Sequence, residues 1–224
     1  MKINLREIPI YYINLPEHRE RDAAFLEKMK SAGFDQPKIF RIEGIRKEGS
    51  QHDPVYVGCF HSQLKTLKQA ISGPFPFMVL EDDCEINQIP DYIDIPDNSD
   101  AVYLGISAWG FSPSQSGNLA LLNSLITDRV DQDVVRIFNM LSSHAILYVA
   151  ADYVQSLITD LESNLSGQIQ ISNNSGESLL YHGGTFLPCD IIMANKQYLN
   201  NVYALRNPVF YQGDKHTYCT LFKI

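Results

Sequence analysis

Continuous apolar runs alternate with helical stripes along the first half of this chain. Residues 8–15 are almost uninterruptedly apolar, as in a strand that is buried on both faces. A helical stripe follows over residues 17–32, with Gly33 placed as its C-terminal cap. The pattern continues with strands over 38–42, 77–80 and 101–105, and with a helix over 57–72. This alternation predicts an α/β fold with a Rossmann-type, mostly parallel sheet covered by helices on both faces.

The second half of the chain has a less regular pattern. We expect two long loops that could serve as binding lids, because residues 107–117 and 163–184 are rich in Ser, Asn and Gly. Pro188 is expected to be the first residue of a last helix. The remaining predicted elements are strands over 134–138 and 145–149, a helix over 151–162, and a closing pair of strands over 202–206 and 209–211.

The charge of the chain excludes one class of partner. Its 224 residues include 18 basic and 26 acidic side chains, for a net charge of −8. A protein that binds nucleic acid without sequence preference needs a basic face, so we expect no nucleic-acid partner. An anionic membrane surface is disfavoured as the main partner for the same reason. The length and the hydrophobic content of 45% suit a single domain.

The four cysteines indicate a reducing compartment. They lie far apart, without a C-x-x-C pair or a histidine spaced to complete a zinc finger. The first thirty residues show no signal-peptide pattern, and no stretch approaches the ~20 apolar residues of a membrane span. The sequence therefore predicts a cytoplasmic protein with reduced thiols and no integral membrane segment.

The strongest local signal for chemistry is the acidic triad Glu81-Asp82-Asp83, which directly follows a buried strand. Three adjacent carboxylates repel one another, and such clusters suit Mg²⁺ or Mn²⁺. The carboxyl end of a parallel strand is also where α/β folds bind ligands. Strand alternation predicts that Glu81 and Asp83 point to one side and Asp82 to the other. An acidic turn on the surface is the alternative interpretation.

A second signal precedes the first predicted helix. His18, Arg19 and Arg21 open this helix, where guanidinium groups beside exposed N–H donors would favour an anion. A solvated helix face is the alternative interpretation, and it is the one we adopt for Arg19. No glycine follows Leu15, so neither a dinucleotide-binding glycine turn nor a Walker loop is present there.

Several short motifs follow one another along the chain. They are Tyr12-Ile13-Asn14-Leu15 with Arg21, Gly58-Cys59 with Ser62, and Val79-Leu80-Glu81-Asp82-Asp83. In this order they resemble the motifs of glycosyltransferase family 25, which contains bacterial lipooligosaccharide galactosyltransferases and collagen galactosyltransferase domains. The resemblance continues more weakly through Tyr103-Leu104-Gly105, residues 145–148 and Pro188-Cys189-Asp190 to Gln212, and so covers most of the chain.

The resemblance implies a GT-A-like fold and an enzyme that uses Mn²⁺ (or Mg²⁺). Such an enzyme would move a hexose, galactose as the first guess, from a UDP-type nucleotide sugar to a carbohydrate hydroxyl with inversion. Residues 1–105 would bind the donor, and residues 106–224 would form the acceptor side. A role in lipooligosaccharide biosynthesis would allow peripheral contact with a lipid-linked acceptor. Carried over by position, Glu81 and Asp83 would hold the metal, and Asn14, Arg21, Ser62 and Asp82 would lie on the donor side.

Three positions depart from the pattern of that family. Glu17 stands where the family usually has a basic residue. Gln63 replaces the histidine of the Gly-Cys-x-x-Ser-His motif, and Glu43-Gly44 replaces an Asp-Gly pair. The nucleotide contacts and the choice of donor are the features these departures affect.

Other residues are weaker candidates for the same chemistry. Asp190, matched to an acidic residue near the acceptor side, is a candidate general base that would accept the proton of the acceptor hydroxyl. Capping of a helix is its alternative role. His216 could complete the metal site or be an ordinary loop histidine. Trp109 could stack on a sugar or form an edge of the core. Asp152 and Asp214 are less favoured as bases.

Two alternative functions remain open at the level of the sequence. A metal-dependent phosphoester hydrolase could use the same acidic triad, although a two-metal centre would need a second cluster. A non-catalytic module that binds a nucleotide or carbohydrate is suggested by the departures at Glu17 and Gln63.

Overall fold

The architecture was obtained from a computed structural model, which describes residues 1–47, 54–107, 110–113, 119–122, 125–167, 169–172, 178–181 and 186–212. Two 3₁₀ turns, Leu5–Glu7 and Gln36–Lys38, precede and follow the first helix. The α-helices in these ranges are α1 (Arg19–Ser31), α2 (Pro54–Ala70), α3 (Ala151–Leu165) and α4 (Cys189–Leu199). The strands are β1 (Lys2–Ile3), β2 (Ile10–Asn14), β3 (Ile39–Glu43), β4 (Phe77–Glu81), β5 (Cys84–Ile86), β6 (Ile93–Asp94), β7 (Ala101–Tyr103), β8 (Gly110–Pro113), β9 (Leu119–Leu122), β10 (Thr127–Arg129), β11 (Val134–Ile137), β12 (Ala145–Tyr148), β13 (Ile169–Ser172), β14 (Ser178–Tyr181), β15 (Val202–Leu205) and β16 (Phe210–Gln212).

The central sheet has eight strands, in the order β10-β11-β15-β7-β12-β4-β2-β3. The pairs β2/β3, β2/β4 and β7/β15 are parallel, whereas the other four pairs are antiparallel. The α/β class is therefore confirmed, but the expectation of a mostly parallel sheet is wrong. The sheet is mixed because β12 inserts antiparallel between β4 and β7, and because β11 pairs antiparallel with both β10 and β15.

Helices cover both faces of this sheet, as predicted. Along β4, Phe77 and Val79 pack in one core cluster, which also contains apolar residues of α2, α3 and α4. Met78 and Leu80 pack in a second cluster, with Phe25 of α1. Alternate residues of one strand thus bury against opposite layers, and this explains why β4 is continuously apolar.

The predicted strands and helices of the first half are present, with small differences at their ends. The two predicted loops are not entirely loops. Residues 107–117 include β8, which pairs with β9, and residues 163–184 include the hairpin of β13 and β14. These short strands were not predicted, because the Ser, Asn and Gly residues around them obscure the alternation of apolar and polar positions.

The end of the chain also differs from the prediction. Pro188 is the N-cap of α4, and the helix begins one residue later. The predicted closing strands do not pair with each other. Instead, β15 lies between β11 and β7 in the central sheet, and β16 pairs with β5. Within the described ranges, no helix is both long enough and apolar enough to cross a membrane.

Candidate functional site

The candidate site lies where β2 and β4 end side by side. These strands are parallel, with Ile13 opposite Glu81, and the backbone N–H of Asp82 donates to the carbonyl of Ile13 at 3.1 Å. The segment that leads into α1 therefore meets the acidic triad. Two adjoining cavities open here, one of about 520 Å³ and one of about 580 Å³. We call them the first and the second cavity; Val55, Cys59 and Glu81 line both.

The first cavity has acidic side chains and basic side chains in its wall. Glu17, one of the departures from the family pattern, pairs with Arg46 at 2.8 Å and so neutralises part of the basic charge. Because the wall carries three carboxylates beside Arg21 and Lys47, an anion would enter it most favourably together with a cation. Its lining residues are Ile13, Leu15, His18, Arg21, Ile45, Arg46, Lys47, Val55, Gly58, Cys59, Ser62, Glu81, Asp82 and Asp83.

Asp82 is held by two residues of the N-terminal motif. Asn14, only 1% exposed, donates from Nδ2 to Oδ2 of Asp82 at 2.7 Å, and Arg21 pairs with Oδ1 of Asp82. Burial raises the pKa of Asp82, whereas Asn14 and Arg21 oppose that shift. The amide oxygen of Asn14 accepts hydrogen bonds from Arg41 at 2.7 and 3.0 Å. Asn14 does not line either cavity, so we assign it the positioning of Asp82; direct contact with a donor stays a prediction.

Glu81 is fixed between α2 and the segment that precedes β12. Its Oε1 accepts hydrogen bonds from Ser143 Oγ at 2.8 Å and from Gln63 Nε2 at 3.2 Å. Burial, followed by the charge of Asp83, raises the pKa of Glu81 to about 7, although these two hydrogen bonds oppose the shift. A carboxylate at the junction of the two cavities is thus oriented by neutral donors and carries no ion-pair partner among the described residues.

The two carboxylate oxygens of Asp83 have different surroundings. Oδ2 accepts a hydrogen bond from Gln212 at 3.1 Å and lies 3.8 Å from Arg21. Oδ1 is buried and has no hydrogen-bond partner among the described residues, which is unusual for a carboxylate oxygen. The predicted alternation does not govern these residues, because β4 ends at Glu81 and a turn begins at Asp82. Asp82 and Asp83 consequently share Arg21.

The side chains of Glu81 and Asp83 fit a divalent cation that takes few of its ligands from the protein. Among the described residues, no group of three or more His, Cys, Asp and Glu could hold a metal ion by itself. Mg²⁺ and related ions commonly use one or two carboxylates and take the remaining ligands from water and substrate phosphates. The partnerless oxygen of Asp83 and the adjacent Glu81 match that requirement.

Gly58 and Ser62 shape the wall of the first cavity. A Cβ on Gly58 would lie 2.5 Å from the carbonyl oxygen of Ile45, so a larger residue would push the loop away from α2. Ser62 Oγ donates to the carbonyl of Gly58 and accepts from the backbone N–H of Ile45, at 2.7 and 2.8 Å. Ser62 lines the cavity, but its hydroxyl is committed to holding this loop on the helix.

The second cavity brings Asp190 to the other side of Glu81. Asp190 lies in the first turn of α4, where its Oδ1 accepts a hydrogen bond from the N–H of Ile191 at 2.9 Å. Burial raises the pKa of Asp190. Tyr56, 55% exposed, lies on the rim. The lining residues are Val55, Tyr56, Cys59, Glu81, Ile106, Ser107, Leu141, Ser142, Ser143, His144, Pro188, Cys189, Asp190, Ile191 and Gln212.

Two predicted site residues, Trp109 and His216, lie outside the described residues, as does the less favoured candidate base Asp214. Sequence reasoning in turn gave no role to Gln63, Ser143 and Gln212, whose side chains hold the acidic triad. Gln63 was visible only as a departure from a motif. Ser143 and Gln212 reach the triad from distant segments, so no local spacing could have revealed them.

The chain was also compared with known proteins. No family model matches it, and no curated protein matches it either.

Proposed function

We propose that this protein is a metal-dependent glycosyltransferase with a GT-A-like fold. It would move a hexose, with galactose as the first candidate, from a UDP-type nucleotide sugar to a carbohydrate hydroxyl with inversion. The main support is the buried Oδ1 of Asp83, which has no partner among the described residues and belongs to an acidic triad between two adjoining cavities. The order of motifs that resembles glycosyltransferase family 25 also supports it. The proposal includes a cytoplasmic setting and a role in lipooligosaccharide biosynthesis.

The first cavity would bind the nucleotide diphosphate. Asp83 and Glu81 would hold the Mn²⁺ or Mg²⁺, and the ion when bound would neutralise charge on the leaving diphosphate. Arg21 would contribute positive charge on the same side, and its pairing with Asp82 fixes its direction. Apolar side chains such as Ile13 and Val55 would exclude water around these charges.

The second cavity would bind the acceptor. Asp190 would accept the proton of the attacking hydroxyl, and a raised pKa makes its carboxylate a stronger base than a solvated one. Tyr56 offers an exposed ring at the rim, where the face of a sugar could pack. Because Glu81 lines both cavities, the donor and the acceptor would meet beside it.

Asp83 provides the test of this proposal. Purified protein is assayed for UDP release from UDP-hexoses in Mn²⁺, with oligosaccharide acceptors. Asp83→Ala should lower kcat by at least ~100-fold, because it removes the carboxylate that faces the ion. The control is Asp91→Ala, since the side chain of Asp91 is 95% exposed and lines neither cavity.

Three results would contradict the proposal in different ways. Full activity of Asp83→Ala would remove the metal role of Asp83. Hydrolysis of simple phosphate esters without a sugar donor would favour the phosphoester hydrolase. Binding of UDP without turnover on any acceptor would favour a non-catalytic module.

A further inference from the structure

Two cysteines meet where the first and second cavities join. Cys59 lies on α2, and Cys189 is the first residue of α4. Their sulfur atoms are 3.7 Å apart, and neither cysteine is in a disulfide. We propose that Cys59 and Cys189 are a thiol–disulfide modification site, in which a hydroperoxide converts the pair to a reversible cross-link between α2 and α4. This inference is independent of the proposed function.

The geometry favours this pair over Cys84. A disulfide needs a sulfur–sulfur distance of about 2.05 Å, so the two sulfurs must approach by less than ~2 Å. Cys59 and Cys189 already contact each other through their thiols. Cys84 is also buried, but its thiol donates to the backbone carbonyl of His144 at 2.8 Å. Cys84 therefore serves as the internal control for a buried thiol.

The two thiols differ in solvent exposure, and this difference determines which of them reacts first with the hydroperoxide. Cys59 is partly exposed and lines both cavities, whereas Cys189 is 3% exposed. The contact with Cys59, together with burial, raises the pKa of Cys189. Cys59 is consequently the thiol that meets the oxidant, and Cys189 is the thiol that resolves the product.

The reaction balances in two steps. The Cys59 thiol attacks the hydroperoxide, whose O–O bond breaks, to give a sulfenic acid and one water or alcohol. The Cys189 sulfur then attacks the Cys59 sulfur, and the hydroxyl leaves with the Cys189 proton as water. The two thiols lose two electrons in total, and the hydroperoxide gains them. A dithiol reductant reverses the change.

The cross-link would join segments that are 130 residues apart in the chain. Closing so long a loop restricts the unfolded state, and we expect the melting temperature to rise by roughly 5–10 °C. The same bond would tie the helix that bears Cys59 to the helix that bears Asp190. Oxidation would thereby restrain the boundary between the cavities.

The experiment uses the full chain with Cys219→Ser, because Cys219 lies outside the described residues. The protein is titrated with hydrogen peroxide, alkylated after unfolding, digested and analysed by mass spectrometry, with melting curves before and after a dithiol reductant. We expect a Cys59–Cys189 disulfide peptide, alkylated Cys84 and a reversible rise in melting temperature. The Cys59→Ser and Cys189→Ser variants should lack that rise, and Cys84→Ser should retain it.

Several outcomes would overturn the inference. One is oxidation of Cys59 to sulfinic acid while Cys189 remains alkylated in full. Another is a disulfide that joins two molecules or involves Cys84. A third is no loss of free thiol at peroxide concentrations that oxidise a small-molecule thiol. If the Cys59→Ser or Cys189→Ser variant does not fold, the peptide map of the oxidised Cys219→Ser protein alone decides between these outcomes.

Discussion

Asn14 shows how one buried side chain organises several charges. Its amide group donates to the carbonyl of His18 and to Asp82, and accepts from Arg41. Every hydrogen-bonding direction of the amide is thus used in a site that water does not reach. The polar ends of β2 and β4 and the start of α1 are coupled through this single residue.

The Asn14→Ala substitution should therefore lower the free energy of unfolding by about 2–4 kcal/mol, because it leaves buried partners unpaired. Urea denaturation monitored by circular dichroism measures the change. The exposed Gln132 provides the control, and Gln132→Ala should change stability by no more than about 0.5 kcal/mol. Equal effects of the two substitutions would contradict the role given to Asn14.

Glu81 links the site to pH. Its folded-state pKa of about 7 lies above the ordinary value of 4.5, so the folded protein favours the protonated carboxyl. Its contribution to stability is then present in full below pH 4.5 and is lost as pH rises through 7, to a total of at most about 3 kcal/mol. The folded protein thus stabilises the protonated form of Glu81 and not its charged form. This is expected of a carboxylate that a bound cation would stabilise.

Replacement of Glu81 by Gln should flatten this part of the stability profile. In EDTA, the free energy of unfolding of Glu81→Gln should exceed that of the wild type increasingly from pH 5 to pH 8, because Gln cannot ionise. Urea titrations at several pH values give the difference. Glu27→Gln, at an exposed position of α1, should follow the wild-type profile. If the free energies of unfolding of Glu81→Gln and the wild type instead change with pH in parallel, the raised pKa of Glu81 is refuted.

At the scale of elements, the end of β7 and the start of β12 lie close together beside the second cavity. The backbone N–H groups of Leu104 and Gly105 both reach the carbonyl of Ala145, at 3.0 and 3.4 Å. His144 fills the space above Gly105, where a Cβ would lie 2.8 Å from two ring carbons and closer still to Nε2. Its Nδ1 is 2.6 Å from Ser142 Oγ. Position 105 requires a glycine because the ring of His144 occupies the space that a Cβ atom would need.

Gly105→Ala should thus lower the free energy of unfolding by about 2–3 kcal/mol, since the paired strands prevent the backbone from moving aside. In a His144→Ala background the same substitution should cost at least ~1 kcal/mol less. A double-mutant cycle from chemical denaturation measures this coupling. An identical cost in both backgrounds would show that the ring is not the obstacle.

At the scale of the whole molecule, the central sheet interleaves the two halves of the chain. Strand β7 lies between β12 and β15, and β4 pairs with β12, so strands before residue 105 depend on strands that follow it. The C-terminal strand β16 pairs with β5 and places Gln212 on Asp83. Strands from before and after residue 105 are therefore parts of one packed sheet.

A polypeptide of residues 1–105 should accordingly fail to fold alone. Its strands β4 and β7 would lose their shared partner β12, and buried groups such as Val79 and Val102 would face water. Thermal and urea scans by circular dichroism should show no cooperative transition, in contrast to the full chain. A sharp transition with native-like amide exchange protection would disprove this dependence.

The sequence allowed prediction of elements that are strongly periodic or continuously apolar. The strands around Ile10 and Phe77 and the helices α1 and α2 belong to this group, because burial on both faces or on one stripe leaves a local pattern. The pairing of β13 with β14 could not be predicted, since Ser- and Asn-rich sequence surrounds both short strands. The antiparallel position of β12 also has no local signature.

The candidate site divides in the same way. The place of its acidic triad was predictable, because a continuously apolar, buried strand directly precedes the triad in the sequence. The sequence by itself determined the α/β class, the acidic triad and its place at the end of β4. Only the tertiary structure decided that Asn14 holds Asp82, that Gln63 and Ser143 hold Glu81, and that Cys59 meets Cys189. Those contacts join segments far apart in the chain, so they depend on strand order, which local periodicity does not encode.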